Sequence, residues 1–177
     1  PDRTGTRGTT NGAAMRIAPV GIMTLPEVSA VTARVARASR LTHNTGEAIA
    51  AASAVAMVVS CGVSGRRFDA AVDPALAAAR QGQRLGHDAG EPDIAGRIAT
   101  ALRLAERGDE EALLADIGCS VASRESVPMA FGLLRMAGGD LWSALLRAAN
   151  IGGDTDSIGA IAGAMGGATG GRLPPGA

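Results

Sequence analysis

The chain has 177 residues, with 17 Arg, no Lys and 17 Asp plus Glu, so its formal charge balances at zero. A neutral chain with 2% aromatic residues has neither the clustered positive charge that general nucleic-acid binding needs nor the rings on which bases stack. Apolar residues at 46% exclude disorder, and 37 Ala with 25 Gly in no strand-like alternation point to closely packed helices, an all-α fold in one domain over residues 1–177.

Residues 1–10 are polar and rich in Gly and Thr, a loop. A helix is expected from Gly12 to about Ile22, with Ala14, Met15, Ile17 and Ala18 in helical spacing. A second starts near Pro26, a good first-turn residue, with Glu27 beside it. Val28, Val31, Val35 and Ala38 line its apolar face, with Arg34, Arg37 and Arg40 toward solvent. Thr42, His43 and Asn44 form a polar junction, after which Asn44 or Thr45 can cap a helix with Glu47 in its first turn.

The uncharged run from Ala48 to Gly65 falls at the short limit for a membrane span and is mostly small residues. It reads as a central helix buried on all sides, so no membrane is expected. Phe68 to Gly82 is helical, with Asp73-Pro74 as a kink or a break. Gly86 to Glu91 is a loop, Pro92 to about Glu106 an amphipathic helix, and Asp109 to Ile117 a short one. Glu125 to Met136, Leu141 to Ala149 and Asp156 to Ala168 complete the helices. Cys61 and Cys119 sit among apolar or small residues and read as buried thiols in a reducing compartment, the cytoplasm.

The sharpest local feature is the run Asn150-Ile151-Gly152-Gly153-Asp154-Thr155-Asp156-Ser157 at the entry to the last helix. Inside a helix, residues i and i+2 point about 200° apart and cannot share a ligand. At a helix entry the chain turns, so Asp154, Asp156 and the Ser157 hydroxyl can converge on a hard cation such as Mg²⁺ or Mn²⁺. The competing reading is that one Asp simply caps the helix. Gly159, Gly163 and Gly167 recur at four-residue spacing, as in close helix contacts, and place this helix at the centre of the bundle.

The second feature is Gly8-Thr9-Thr10-Asn11-Gly12, which runs straight into a helix start. Exposed backbone N–H groups there make an anion site, and an ordinary Asn11 cap is the alternative. His43 reads from its surroundings as a hydrogen-bonded junction residue, and His87 as a solvent-exposed one.

Four blocks in order carry a resemblance: TNGAAMRIAPVGI from Thr10, LTHNTGEAIAAASAVA from Leu41, ESVPMAFGLL from Glu125 and ANIGGDTDSIGAIAGAMGGA from Ala149. Together they resemble the ADP-ribosylglycohydrolase family, which includes the dinitrogenase-reductase-activating glycohydrolase. The resemblance implies a compact orthogonal helical bundle with a dinuclear Mg²⁺ or Mn²⁺ site. It implies hydrolysis of the glycosidic bond between ADP-ribose and a modified protein or small molecule. By the same resemblance, Asp154, Asp156 and Ser157 are metal ligands, and Arg7 to Gly12 (with Gly8, Thr9, Thr10, Asn11 and Gly12) cradle the diphosphate. His43 contacts substrate and Val121 falls near a substrate-lining position.

The family's N-terminal portion carries a Thr-Asp-Asp metal motif and an acidic catalytic residue, and the 177 residues hold no such motif. The catalytic acid is expected upstream of Pro1, which makes the chain the C-terminal portion of a longer polypeptide, a split subunit awaiting a complementary chain, or a degenerate relative. The rival functions are an ADP-ribose-binding or scaffold protein of the same fold and, more distantly, a plain Ala-rich interaction module.

Overall fold

In the computed structural model, which describes residues 4–87, 90 and 92–174, the elements follow from one central helix. That helix, α3 (Gly46–Val63), has no polar face, and every residue from Gly46 to Cys61 is buried. It is the one helix among the described residues long and apolar enough to cross a membrane, and 94% of it is buried inside the bundle. Thr45 caps it, its hydroxyl accepting from the Ala48 N–H at 3.2 Å.

Around α3 lie α1 (Ala18–Ile22), α2 (Val28–Ser39), α4 (Phe68–Gln83), α5 (Ile94–Glu106), α7 (Ser123–Met136) and α9 (Thr155–Ala168). The short α6 (Glu110–Ile117) packs on α5 and α7, and α8 (Leu141–Asn150) packs on α9 and α7. Among the described residues there is no strand, only isolated bridges from Thr10 to Ala122 and from Thr45 to His87. The core is Ala-rich with a few large side chains, Phe131, Ile49, Met57, Ile98 and Leu133 among them. Small residues let α4 lie directly on α3: a methyl on Gly82 would stand 2.5 Å from Ser53 Oγ and 3.0 Å from the Ile49 carbonyl.

Four expectations need correction. Residues 12–22 are not one helix but a 3₁₀ turn (Ala14–Arg16) followed by α1. Pro19 has no N–H for the Met15 carbonyl and its ring would crowd that oxygen, so the chain restarts at Ala18 with Pro in the first turn. α2 begins at Val28, with Glu27 extended at the cap position and Pro26 outside the helix. Cys119 is only half-buried, whereas Cys61 is buried; both are free thiols.

The glycine stripe of α9 is not its tight face. A methyl on Gly159 or Gly163 would meet its nearest neighbour at 3.9 or 3.5 Å, and one on Gly167 would meet nothing within 4 Å. The face packed on the bundle is Ser157, Ile158, Ile161, Ala162, Met165 and Gly166, where a methyl on Gly166 would stand 2.7 Å from Leu141. By contrast, α4 runs unbroken through Pro74. The expected 86–91 loop falls partly, at residues 88, 89 and 91, outside the described residues, as do the ends of the chain at residues 1–3 and 175–177.

Candidate functional site

Three separate segments meet at one end of α9. The first is the loop before the 3₁₀ turn. Its Gly8 carbonyl accepts from the Thr45 hydroxyl at 2.7 Å, and its Thr9 carbonyl accepts from the Ser123 N–H at 2.9 Å. Asn11, 4% exposed, donates its backbone N–H to the Val121 carbonyl at 2.9 Å. Among the described residues, the backbone N–H groups of Thr9, Thr10, Gly12 and Ala13 make no hydrogen bond; Thr9, Thr10 and Gly12 keep exposed surface, whereas Ala13 is fully buried.

The second segment is the entry to α9. Gly152 and Gly153 take positive φ values of 86° and 61°, turning the chain so that the Asp154 N–H donates to the Cys119 carbonyl at 2.8 Å. Asp154 occupies the cap position but its carboxylate makes no cap bond. Instead Asp154 Oδ2 accepts from Asn11 Nδ2 at 2.5 Å, across 143 residues of sequence. Asp156 is exposed in the first turn of α9. Ser157 is buried, and its hydroxyl points toward Met15 Sδ at 3.9 Å, back onto the 3₁₀ turn.

His43 forms the far wall of the first loop. Its Nε2 pairs with Thr10 Oγ at 3.0 Å and its Nδ1 with Thr42 Oγ at 2.8 Å, while Arg16 donates to the same Thr42 oxygen at 2.7 Å. Gly12 lies under the imidazole; a methyl there would stand 2.9 Å from two ring atoms. Burial, and secondarily the Arg16 charge, hold the His43 pKa below its ordinary 6.5, so the ring is neutral at pH 7.

The family's sequence model matches residues 1–176 under the description ADP-ribosylglycohydrolase. The chain belongs to the ADP-ribosylglycohydrolase family. Among curated relatives, the uncharacterized protein YegU of Escherichia coli (strain K12) is 36% identical over 168 residues, which cover 91% of this chain and 50% of YegU. An uncharacterized protein of Archaeoglobus fulgidus is 34% identical over 172 residues, covering 97% of this chain and 53% of that protein. The chain thus spans about half the length of the curated relatives it matches.

In this member of the ADP-ribosylglycohydrolase family, the structure brings Gly8 to Gly12, His43 and Asp154 together. Val121 joins through its backbone carbonyl, while its side chain is 52% exposed. As donors for a cation, Asp154, Asp156 and Ser157 are all oxygen, which fits Mg²⁺ or Mn²⁺ in kind. They fall short in number: among the described residues no group of three or more His, Cys, Asp or Glu side chains is placed to hold a metal.

In the third segment, residues 118–123, sequence reasoning singled out only Val121 for the site and missed that the segment's backbone bonds to both of the others. It also missed Arg97 and Glu47 behind that segment. Their signal was present, since Glu47 is the one charged residue of α3, and Arg97 falls at i+3 from Ile94 in the Ile94, Ile98, Ala101 apolar stripe of α5.

Proposed function

We propose that the chain carries the ADP-ribose-binding and part of the metal-binding surface of a hydrolase that cleaves the glycosidic bond between ADP-ribose and a modified protein or small molecule. The observation that carries this reading is the Asn11–Asp154 contact. It puts the anion-suited loop against the acidic mouth of α9, the juxtaposition a nucleotide sugar held over a cation requires. A capping role for Asp154 is disfavoured because its carboxylate makes no cap bond.

Asp154, Asp156 and Ser157 would hold Mg²⁺ or Mn²⁺, in a dinuclear site completed by ligands from elsewhere. A divalent cation there supplies positive charge that orients the ribose hydroxyls. The unengaged N–H groups of Thr9, Thr10 and Gly12 are suited to the diphosphate, and Arg16 adds charge nearby. His43, neutral and with both ring nitrogens taken by Thr10 and Thr42, would meet bound substrate through its ring and orients the Thr10 hydroxyl beside it. Cleavage at ribose C1 develops oxocarbenium character, and the acid that serves the leaving group belongs to no residue identified in this chain. Two free thiols support a reducing compartment, the cytoplasm.

A second reading, ADP-ribose binding without turnover, is favoured by one observation: no third carboxylate joins Asp154 and Asp156 among the described residues. Isothermal titration separates the outcomes. The protein is expected to bind Mn²⁺ and, in its presence, ADP-ribose, with Asp154→Ala losing a bound Mn²⁺. Unchanged Mn²⁺ stoichiometry in Asp154→Ala, or no ADP-ribose binding, overturns the reading. ADP-ribose binding with no hydrolysis of ADP-ribosyl-arginine or ADP-ribosyl-serine peptides, even when the ligands that complete the dinuclear site are supplied, favours the second one.

A further inference from the structure

We infer that Arg97 is a positioning residue for the candidate site, acting through residues 118–123. Its guanidinium donates from Nε to the Arg124 carbonyl at 2.6 Å and from Nη2 to the Ile117 carbonyl at 2.7 Å. Those carbonyls lie at the two ends of the segment, so one planar group ties the end of α6 to the start of α7. Glu47, 1% exposed, braces the same corner. Its Oε1 accepts from the Arg124 N–H at 3.0 Å and its Oε2 from the Arg124 guanidinium at 3.3 Å.

Between these anchors, the segment's backbone holds both halves of the site. The Cys119 carbonyl accepts from the Asp154 N–H, the Val121 carbonyl accepts from the Asn11 N–H, and the Ser123 N–H donates to the Thr9 carbonyl. The two residues whose side chains meet at 2.5 Å are therefore hung on one short strap, and the shape of that strap sets their separation. Arg97 suits the task because its donors are fixed in one plane; a Lys ammonium has three donors on one rotating point charge and holds two carbonyls less firmly. Ile117 is buried, so its carbonyl has no ready replacement in water.

This inference rests on the proposed function only for its consequence for ligands, and the test separates the two. Amide hydrogen exchange in Arg97→Ala is expected to quicken about tenfold at Asn11, Ser123 and Asp154, the loss of roughly one charged hydrogen bond, while α3 amides keep their rates. Mn²⁺ affinity is expected to fall by a similar factor, with Arg97→Lys recovering part of both. Should Arg97→Ala fail to fold, Arg97→Lys reads the same three amides. Unchanged exchange at those amides, or an equal rise throughout α3, overturns the inference and leaves Arg97 merely structural. Quickened exchange in a protein whose parent binds neither Mn²⁺ nor ADP-ribose upholds the positioning role and removes the functional reading. A parent that binds both, with Arg97→Ala binding equally well, does the reverse.

Discussion

The contact between Asn11 and Asp154 can be weighed directly by a double-mutant cycle. Asn11→Ala removes the donor, and Asp154→Ser removes the carboxylate while leaving a residue that favours the cap position. A hydrogen bond to an ionised group contributes about 1.5–3 kcal/mol. Asp154 is only half-buried, so water can partly replace the lost donor, and about 1–2 kcal/mol is the expected coupling. For a chain of 177 residues, each kcal/mol shifts Tm by roughly 2–4 °C, so losing this contact in Asn11→Ala should lower it by about 2–8 °C. Urea and thermal unfolding at pH 7 with EDTA present would measure both singles and the double. If the two singles add within about 0.5 kcal/mol, the side chains do not meet in solution. If Asp154→Ser retains full stability where Asp154→Ala loses about 1 kcal/mol, Asp154 is a cap and the site reasoning fails.

Further outcomes follow from neighbouring groups. His43 has a folded-state pKa below its ordinary 6.5, held there by burial and then by Arg16, so the unfolded chain binds the extra proton. Its contribution is present above 6.5 and is lost as pH falls from 6.5 through the folded value; Tm against pH should lose that slope in His43→Gln. Glu125 behaves separately. Burial raises its pKa, but hydrogen bonds from Ser120 and the charges of Arg124 and Arg97 outweigh this and leave it below 4.5. Its contribution is present above 4.5 and is lost in more acid solution, where Glu125→Gln should flatten the curve.

Glycine substitutions should differ in sign. Gly153→Ala meets the Cys119 carbonyl at 2.2 Å with φ at 61° and should cost about 2–5 kcal/mol. Gly152→Ala has positive φ but open space and should cost about 1–2 kcal/mol. Gly159→Ala should stabilise by up to ~1 kcal/mol, because it restores helix propensity in a place with room. Urea denaturation ranks the three.

Much of the fold was legible because its causes are local. High Ala content and 3.6-residue spacing specify helices wherever they occur, and a stretch with no polar face, such as Ala48 to Cys61, has nowhere to lie but the centre. The helix expected from Gly12 to Ile22 splits at Ala18 because Pro19 lacks an N–H, a local cause that the apolar spacing alone did not show. The Asp154, Asp156, Ser157 group and the Thr9 to Gly12 loop could also be read as candidates, but each remained compatible with a simple cap. Choosing between cap and site depends on a partner 143 residues away, which no local rule can supply. The same holds for the α9 glycines: their spacing states that a close contact is permitted, and only the neighbours actually placed there, Ala148 and Leu145, decide that the tight face lies elsewhere. Helix formation is set by each residue's own torsions and near neighbours. The candidate site is set by how three loops close on one another, and that closure is governed by groups such as the half-buried Arg97 and the buried Glu47, whose role exists only once the helices are packed.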